Sequence, residues 1–187
     1  MAFAGADICI AFSRPGPGVI SPDWVRAMAR DAAVFAAANP VPEILPQTAI
    51  EAGARIVATG RSDFPNQLNN SLVFPGLFRG VLDVRARTIS DHMAIAAAKE
   101  LVAAARAKGL SADRLLPPMS DWRIAARIAG AVGEAAVSEG LALNPLTRGA
   151  LEKLAIDAIG SSRAAVEELV RAGLIPPIPE YSALPKL

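Results

Sequence analysis

Three short apolar runs constrain the fold of this chain more than any other feature of its sequence. They lie at Ala6–Phe12, Ala33–Ala38 and Arg55–Ala58. Short continuous apolar runs without alternating polar positions are typical of strands in a parallel sheet, where both faces are covered. We expect the first run in particular to be a strand that is buried on both faces.

The segments between these runs carry helix signals. Ser21 suits the N-cap position and Pro22 the first turn of a helix that continues to about Arg30. A second short helix is predicted from Pro46 to Ala52. Strands that alternate with helices in this way form doubly wound sheets. The predicted fold class is therefore α/β, a partial Rossmann-like doubly wound parallel sheet of about three strands followed by a helical C-terminal region.

Polar residues follow all three predicted strands. Ser13 and Arg14 come after the first strand, Asn39 after the second, and the segment Thr59–Asn70 after the third. In doubly wound sheets, ligands bind beyond the carboxyl ends of the strands. The three strand exits therefore predict a ligand site at this edge of the sheet.

The third exit segment is rich in side-chain amides, namely Asn66, Gln67, Asn69 and Asn70. Amides keep a donor and an acceptor at every pH, so such a cluster can bind the hydroxyl, carboxylate or carboxamide of a small ligand. The alternative is that these residues only cap the following helix and shape the turn. On spacing alone, we favour the capping role.

The remainder of the chain is predicted to be helical. The apolar run Leu72–Phe78 indicates a buried helix that Pro75 and Gly76 interrupt. Ser120 is a candidate N-cap for one of the later helices. The later helices are predicted at Asp91–Lys108, Asp121–Glu139, Thr147–Ile159 and Ser162–Ala172.

Several polar side chains are interpreted as structural. Arg61 and Asp63 are expected to form a local ion pair that shapes their loop. Three charged residues that follow the apolar helix, Asp83, Arg85 and Arg87, are expected to form ion pairs at a subunit or domain surface. His92 is the lone histidine and is expected on the solvated surface, because one histidine among scattered carboxylates does not make a metal site.

Composition narrows the classes of function. The net charge is +1, and basic and acidic residues are interspersed along the chain. The sequence therefore lacks the cluster of basic residues that is typical of a nucleic-acid binder. The single cysteine, Cys9, cannot form an internal disulfide and is expected to be a small core residue in a reducing compartment. No signal peptide and no apolar stretch of the roughly 18–20 residues needed for a membrane span is apparent. We expect a cytoplasmic protein that binds neither nucleic acid nor membrane.

Three longer segments resemble a known family. They are ATGRSDFPNQLNN at residues 58–70, FPGLFRGVLDVRA at residues 74–86, and AAANPVPEI at Ala36–Ile44. Together they are similar to the C-terminal part of the cofactor domain of bacterial and archaeal malic enzymes, which are malate oxidoreductases that decarboxylate their substrate. The similarity runs from the first residues to about Pro177.

The resemblance implies roles for five residues. Asn39 would contact the cofactor or the substrate, and Asn69 and Asn70 would hold the carboxylate and hydroxyl of the substrate. Ser13 and Arg14 would pass near the ribose of the cofactor. The resemblance implies no catalytic and no metal-binding residue in this chain.

The resemblance also implies an activity. The complete enzyme would oxidise (S)-malate and decarboxylate it to pyruvate and CO2, with NAD or NADP and a divalent Mg or Mn ion. The acid–base tyrosine and lysine, the metal ligands and the glycine-rich turn of the family have no match here. The partner of this chain would be the missing N-terminal part or a second copy, and the family implies a dimer. The alternative is a non-catalytic fragment that serves only as an association module.

The predicted organisation follows from these points. Residues 1–85 would be the C-terminal half of a Rossmann-like NAD(P)-binding domain that includes the amide-rich loop. Residues 86–175 would be a helical C-terminal region, and residues 176–187 an extended tail. A sheet of about three strands is small, since about four to six strands are typical, so another segment should complete it.

Overall fold

The architecture is a small parallel sheet followed by a group of helices. It is seen in a computed structural model that describes residues 2–177. The order is β1 (Ile8–Ala11), α1 (Pro22–Arg26), β2 (Ala33–Ala36), α2 (Pro46–Glu51), β3 (Ile56–Thr59), a 3-10 helix (Asn70–Leu72), α3 (Phe74–Asp83), α4 (Asp91–Ala107), α5 (Arg123–Ser138) and α6 (Arg148–Arg171). No helix within these residues is both long and apolar enough to cross a bilayer. Most of the predicted tail, residues 178–187, lies outside the described residues.

The three strands form one parallel sheet in the order β1-β2-β3. At its carboxyl edge, Ala11, Ala36 and Thr59 stand side by side in register. A single buried cluster combines side chains of α1 and α2 with those of the strands, so both helices cover the same face. The predicted α/β fold is confirmed, and each strand overlaps its predicted apolar run.

The prediction that β1 is buried on both faces is wrong. Cys9 and Ala11 pack against the core under α1 and α2, whereas Ile8 and Ile10 on the other face are 59% and 64% exposed. The reason is that both helices lie on one face and that β1 is an edge strand of the described sheet. Burial, helped by the charge of Glu43, raises the pKa of the half-buried Cys9 thiol.

Helix α3 is not interrupted by its proline. It begins at Phe74, and Pro75 lies in the first turn, where backbone N–H groups have no helical partner to lose. The helix is also buried on one side only, since Phe74 and Phe78 are 44% and 48% exposed. The predicted buried and interrupted helix is therefore a continuous helix with one exposed side.

The buried side of α3 packs directly on α5 through two glycines. A Cβ atom at Gly76 would lie 2.5 Å from the carbonyl oxygen of Ala125, and one at Gly80 would lie 2.5 Å from that of Ala129. No side chain fits in so short a space, so these glycines set the distance between the two helices. Around them lies a second buried cluster, formed by α3, α4, α5 and α6.

The helical region differs from the prediction at two points. The segment expected to form two helices is the single helix α6, because Gly160 and Ser162 continue the helix and the Ser162 hydroxyl donates to the Ala158 carbonyl at 3.0 Å. Helix α5 begins at Arg123, and Ser120 does not cap it.

Asp83, the last residue of α3, forms an ion pair within its own helix. Asp83 pairs with Arg79, four residues earlier, at 2.8 Å. The expected ion pair of Asp83 is therefore present, and its partner is Arg79. An i,i+4 pair of this kind fixes both side chains along the helix surface.

Replacing the interface glycines of α3 should destabilise the fold. We expect Gly76→Ala and Gly80→Ala each to lower the free energy of unfolding by about 1–3 kcal/mol, because the added methyl group forces the helix backbones apart. Urea unfolding followed by circular dichroism measures this change.

Gly160→Ala in α6 is the matched control. Nothing lies within 4 Å of a Cβ atom at Gly160, so the same substitution should raise stability there by about 0.5–1 kcal/mol. Equal effects at Gly76 and Gly160 would contradict the close packing of α3 on α5.

Candidate functional site

The carboxyl edge of the sheet brings the exits of β2 and β3 together. Asn39 follows β2 and Gly60 follows β3. A Cβ atom at Gly60 would lie 3.1 Å from Oδ1 and 3.4 Å from Nδ2 of Asn39, so the Asn39 carboxamide rests against the glycine backbone. The Asn39 side chain is otherwise exposed and makes no hydrogen bond with the described residues. It is thus available to a ligand at this edge.

A buried carboxylate holds the exits of β1 and β2 together. Glu43 is fully buried, and its Oε1 accepts hydrogen bonds from the Ser13 N–H at 2.7 Å and the Ser13 hydroxyl at 3.0 Å. Its Oε2 accepts from the Ala38 N–H at 3.1 Å. The Glu43 backbone carbonyl also accepts from Gly18 and Ile20, both at 3.1 Å. One residue therefore fixes the whole loop that follows β1 against the end of β2.

The ionised form of Glu43 is stabilised by this arrangement. Burial alone would raise the pKa of the carboxyl, but the hydrogen bonds from the Ser13 and Ala38 amides and from the Ser13 hydroxyl outweigh it and lower the pKa. Sequence reasoning missed this residue. The available signal was a lone glutamate inside the otherwise apolar segment PVPEIL, since a buried charge requires partners.

The loop after β3 is fastened to the exit of β2 by Arg61. Its guanidinium donates to both oxygens of Asp63 at 2.7 Å, which confirms the predicted ion pair and lowers the pKa of Asp63. Arg61 also donates to the carbonyl of Pro40 at 3.1 Å. The third strand exit is therefore tied to the residue that follows Asn39.

The three asparagines of the amide-rich turn have different surroundings. Asn66 is buried, donates to the carbonyls of Val57 at 3.1 Å and Ala112 at 2.5 Å, and accepts from the Leu115 N–H at 2.9 Å. Its amide is fully used by the fold. It joins the sheet, through Val57, to the loop that precedes α5.

Asn69 and Asn70 lie at the start of the 3-10 helix. Asn69 is its N-cap, and its Oδ1 accepts from the Ser71 N–H at 2.9 Å. Its Nδ2 group makes no hydrogen bond with the described residues. Asn70 is exposed, and its whole carboxamide is without a partner in the described part of the chain. The turn thus combines the capping role with free amide groups.

Of the remaining candidates, Ser13 and Arg14 stand at the exit of β1. The Ser13 hydroxyl is held by Glu43, whereas the Arg14 side chain is exposed and makes no ion pair within residues 2–177. His92 is exposed as predicted, with Nδ1 3.7 Å from a Glu139 oxygen. No group of three His, Cys, Asp or Glu side chains within the described residues can hold a metal ion.

The fold and this edge together define a class of protein. A parallel sheet with Ser13, Asn39 and Gly60 at its carboxyl ends is part of a Rossmann-type dinucleotide-binding domain. The comparisons with known proteins agree. Residues 8–137 match the family model "Malic enzyme, NAD binding domain".

Individual relatives point the same way. The bifunctional malic/malolactic enzyme of Bacillus subtilis is 49% identical over 137 residues, which cover 73% of this chain and 33% of the relative. The NAD-dependent malic enzyme of Geobacillus stearothermophilus is 47% identical over 139 residues, covering 74% and 28%. The crystal structure of the Entamoeba histolytica malic enzyme superposes with a TM-score of 0.91 at 43% identity, covering 95% of this chain and 37% of that one.

The chain therefore belongs to the malic enzyme family and contains part of its NAD-binding domain. It spans about a third of the length of the curated relatives that it matches. The predicted resemblance is confirmed. The roles predicted for individual residues, and the division of the chain at residues 85 and 175, stay predictions.

Glu43→Gln should destabilise the fold in a pH-dependent way. At pH 7 we expect a loss of about 2 kcal/mol, because hydrogen bonds to a charged acceptor contribute about 1.5–3 kcal/mol and a neutral amide offers one acceptor oxygen in place of two. The folded-state pKa is lowered, so the contribution is present above the unfolded value of about 4.3 and is lost as the pH falls through the folded value.

Urea unfolding of both proteins between pH 7 and pH 3 measures this effect. The difference in the free energy of unfolding between wild type and Glu43→Gln should be largest at pH 7 and should decrease below about pH 4. Glu51→Gln on the exposed side of α2 is the control and should cost less than about 0.5 kcal/mol. A gap that does not change with pH would show that the charge of Glu43 contributes nothing.

Asn66→Ala should loosen the junction between the sheet and the helices. It removes three hydrogen bonds and leaves the carbonyl of Val57 and the N–H of Leu115 without their side-chain partner, so we expect a loss of about 2–4 kcal/mol in urea unfolding. Asn144→Ala removes one exposed hydrogen bond, to the carbonyl of Asp83, and should cost less than about 1 kcal/mol. Similar losses for the two variants would contradict the junction role.

Proposed function

We propose that this chain forms part of the cofactor and substrate cleft of a malic enzyme. That enzyme oxidises (S)-malate and decarboxylates the product to pyruvate and CO2, with NAD or NADP as the hydride acceptor. The observation that carries the proposal is the meeting of Ser13, Asn39 and Gly60 at one edge of the sheet, in a chain of this family. Relatives are named as NAD-dependent and as NADP-dependent malic enzymes, so both cofactors are retained in the proposal.

The exposed side chains of the strand exits suit a nicotinamide cofactor. The close approach of the Asn39 carboxamide to Gly60 leaves an amide donor and acceptor at the edge where a dinucleotide lies in such sheets. Arg14 offers an exposed cation without an ion-pair partner in residues 2–177, beside the Ser13 hydroxyl. A bound nicotinamide cofactor would supply the hydride acceptor for C2 of malate, and Asn39, Ser13 and Arg14 would bind and orient it.

The amide-rich turn suits the substrate. Asn69 Oδ1 already accepts the capping hydrogen bond from the Ser71 N–H. Its Nδ2 group would therefore be the one that binds malate, by donating to a carboxylate oxygen. The Asn70 carboxamide has no partner among residues 2–177, so it can bind the C2 hydroxyl or a carboxylate. The hydrogen bond from Asn66 Nδ2 to the Val57 carbonyl fixes this turn against β3. It therefore also fixes the position of Asn69 and Asn70 relative to the strand exits.

The described residues do not fit a divalent metal centre. They contain no suitable group of three His, Cys, Asp or Glu side chains. The proposal therefore places the metal ligands, together with the general acid and base, in polypeptide that this sequence does not include, and we assign no step of the reaction to residues here. A purely structural association module, the alternative function, is not favoured because the relatives are named as malic enzymes.

Asn70→Ala should impair an enzyme that contains this chain. The enzyme is made by joining the chain to the part of a malic enzyme relative that it does not match. We expect kcat/KM for malate to fall about ten- to hundredfold, the value of one hydrogen bond to a charged or reacting group. Formation of reduced cofactor, followed by absorbance, is the measurement.

Two controls accompany this assay. Asn144→Ala changes a distant exposed asparagine and should leave kcat/KM unchanged. The 187-residue chain alone should form no reduced cofactor with malate. Full activity of Asn70→Ala, or malate oxidation by the chain alone, would overturn the proposed division of roles.

A further inference from the structure

A small cavity lies between the amide-rich turn and the loop that precedes α5. Its volume is about 160 Å³. One wall consists of Asn66, Gln67 and Leu72, and the other consists of residues 113–119. None of the five residues with predicted ligand roles belongs to the described lining. The cavity is therefore separate from the candidate site at the strand exits.

Most of the cavity lining is apolar. The apolar residues are Leu72, Leu115, Leu116, Pro117, Pro118 and Met119. The two prolines have a fixed φ angle, which makes this part of the loop stiff. An apolar cavity of about 150 Å³ can take up benzene, so this cavity can hold an aliphatic group of a few carbon atoms. A dinucleotide is far too large for it.

Two opposite charges accompany the apolar walls. Asp113 and Arg114 both line the cavity and are exposed, and neither forms an ion pair within residues 2–177. Arg114 Nε donates to the Gly109 carbonyl at 3.2 Å, which leaves the terminal nitrogens of the guanidinium without a partner in this part of the chain. The Gln67 carboxamide also makes no hydrogen bond with the described residues. The cavity thus offers a ligand an anion, a cation and an amide.

The backbone holds these three side chains in place. Residues 111–114 form a turn that is closed by two backbone hydrogen bonds of 3.2 Å. The buried carboxamide of Asn66 donates to this turn. On the opposite wall, Gln67 forms an isolated parallel bridge with Thr59 of β3. A site that is formed before the ligand arrives loses less conformational freedom on binding.

The combination of charges and apolar walls selects one class of small molecule. An α-amino acid carries an ammonium and a carboxylate on the same carbon, which suits the neighbouring residues Asp113 and Arg114. An aliphatic side chain suits the apolar walls. A monocarboxylate is repelled by Asp113, and a simple amine is repelled by Arg114. Malate has two carboxylates and no apolar part, so it matches neither the charges nor the walls.

We propose that this cavity is a binding site for a small aliphatic α-amino acid of about the size of valine. Asp113 accepts hydrogen bonds from the ammonium, and Arg114 and Gln67 donate to the carboxylate. The side chain lies against Leu72 and Leu116. A bound amino acid bridges the amide-rich turn and the loop that precedes α5. The proposal does not depend on the proposed function, because it concerns a separate site.

A titration with L-valine tests the proposal. Binding to the ¹⁵N-labelled 187-residue chain is followed by the shifts of backbone amide signals in nuclear magnetic resonance spectra. We expect saturable shifts at Leu115 and Leu116 with a Kd of about 1 mM or lower, a value suited to a ligand of this size. Two analogues lack one charge each, namely 3-methylbutanoate without the ammonium and isobutylamine without the carboxylate. Both should bind about tenfold more weakly or less, because each loses a charge-assisted hydrogen bond.

Variants of the two charged residues locate the binding. Asp113→Asn and Arg114→Gln should each weaken the binding of L-valine by about tenfold or more. Arg87→Gln is the matched control, because Arg87 is also an exposed arginine without an ion pair in residues 2–177, and it should leave the Kd unchanged. Circular dichroism confirms that each variant is folded.

Three results would overturn the proposal. The first is the absence of saturable shifts at about 20 mM L-valine, well above the expected Kd. The second is equal affinity for L-valine and either analogue, which would show that the paired charges do not select the ligand. The third is an unchanged Kd in Asp113→Asn and Arg114→Gln, which would place the binding elsewhere. Malate oxidation plays no part in this test, so its outcome is independent of the proposed function.

Discussion

The hydrogen bonds of the Asn66 carboxamide hold the sheet and the helical region of this chain together. Within residues 2–177, the sheet and the helical region have separate buried clusters. Asn66 contacts the carbonyl of Val57 in β3, the carbonyl of Ala112 and the N–H of Leu115. A buried amide with its groups satisfied is directional in a way that apolar contacts are not, so it fixes the turn relative to the strand exits.

Glu43 plays the corresponding part on the other side of the edge. Its carboxylate takes three hydrogen bonds from the exits of β1 and β2, and the lowered pKa shows that the fold favours the ionised form. Neither Asn66 nor Glu43 has a group left for a ligand. They hold the positions of Ser13, Asn39 and Asn70, whose side chains lie at the surface.

Part of the apolar surface of the sheet and of α3 stays exposed. A parallel sheet is ordinarily covered on both faces, yet here α1 and α2 lie on one face and the other is open at β1. The glycine contacts of α3 with α5 are tight, while its opposite side is aromatic and exposed. The same helix therefore has one side that packs within this chain and one side that stays exposed.

Much of this protein follows from its sequence. Three apolar runs separated by helix signals determine the parallel α/β sheet, because strands without polar alternation and with helical connections leave few other topologies. Segments 36–44, 58–70 and 74–86 suffice to identify the family, and the local spacing of Arg61 and Asp63 suffices for their ion pair. These features depend on residues that are close along the chain.

Only the tertiary structure decided the rest. Asn66 and Asn69 cannot be told apart from the sequence. Asn66 is buried and bonds to the distant Ala112, whereas Asn69 caps a helix by bonding to the nearby Ser71. The role of Glu43 depends on Ser13, thirty residues away. The exposure of β1 depends on which face the helices cover. Sequence pattern and propensity report local preference, whereas burial and hydrogen-bond partners are fixed by contacts between distant segments. Those contacts decide which polar groups of a side chain remain able to bind a ligand.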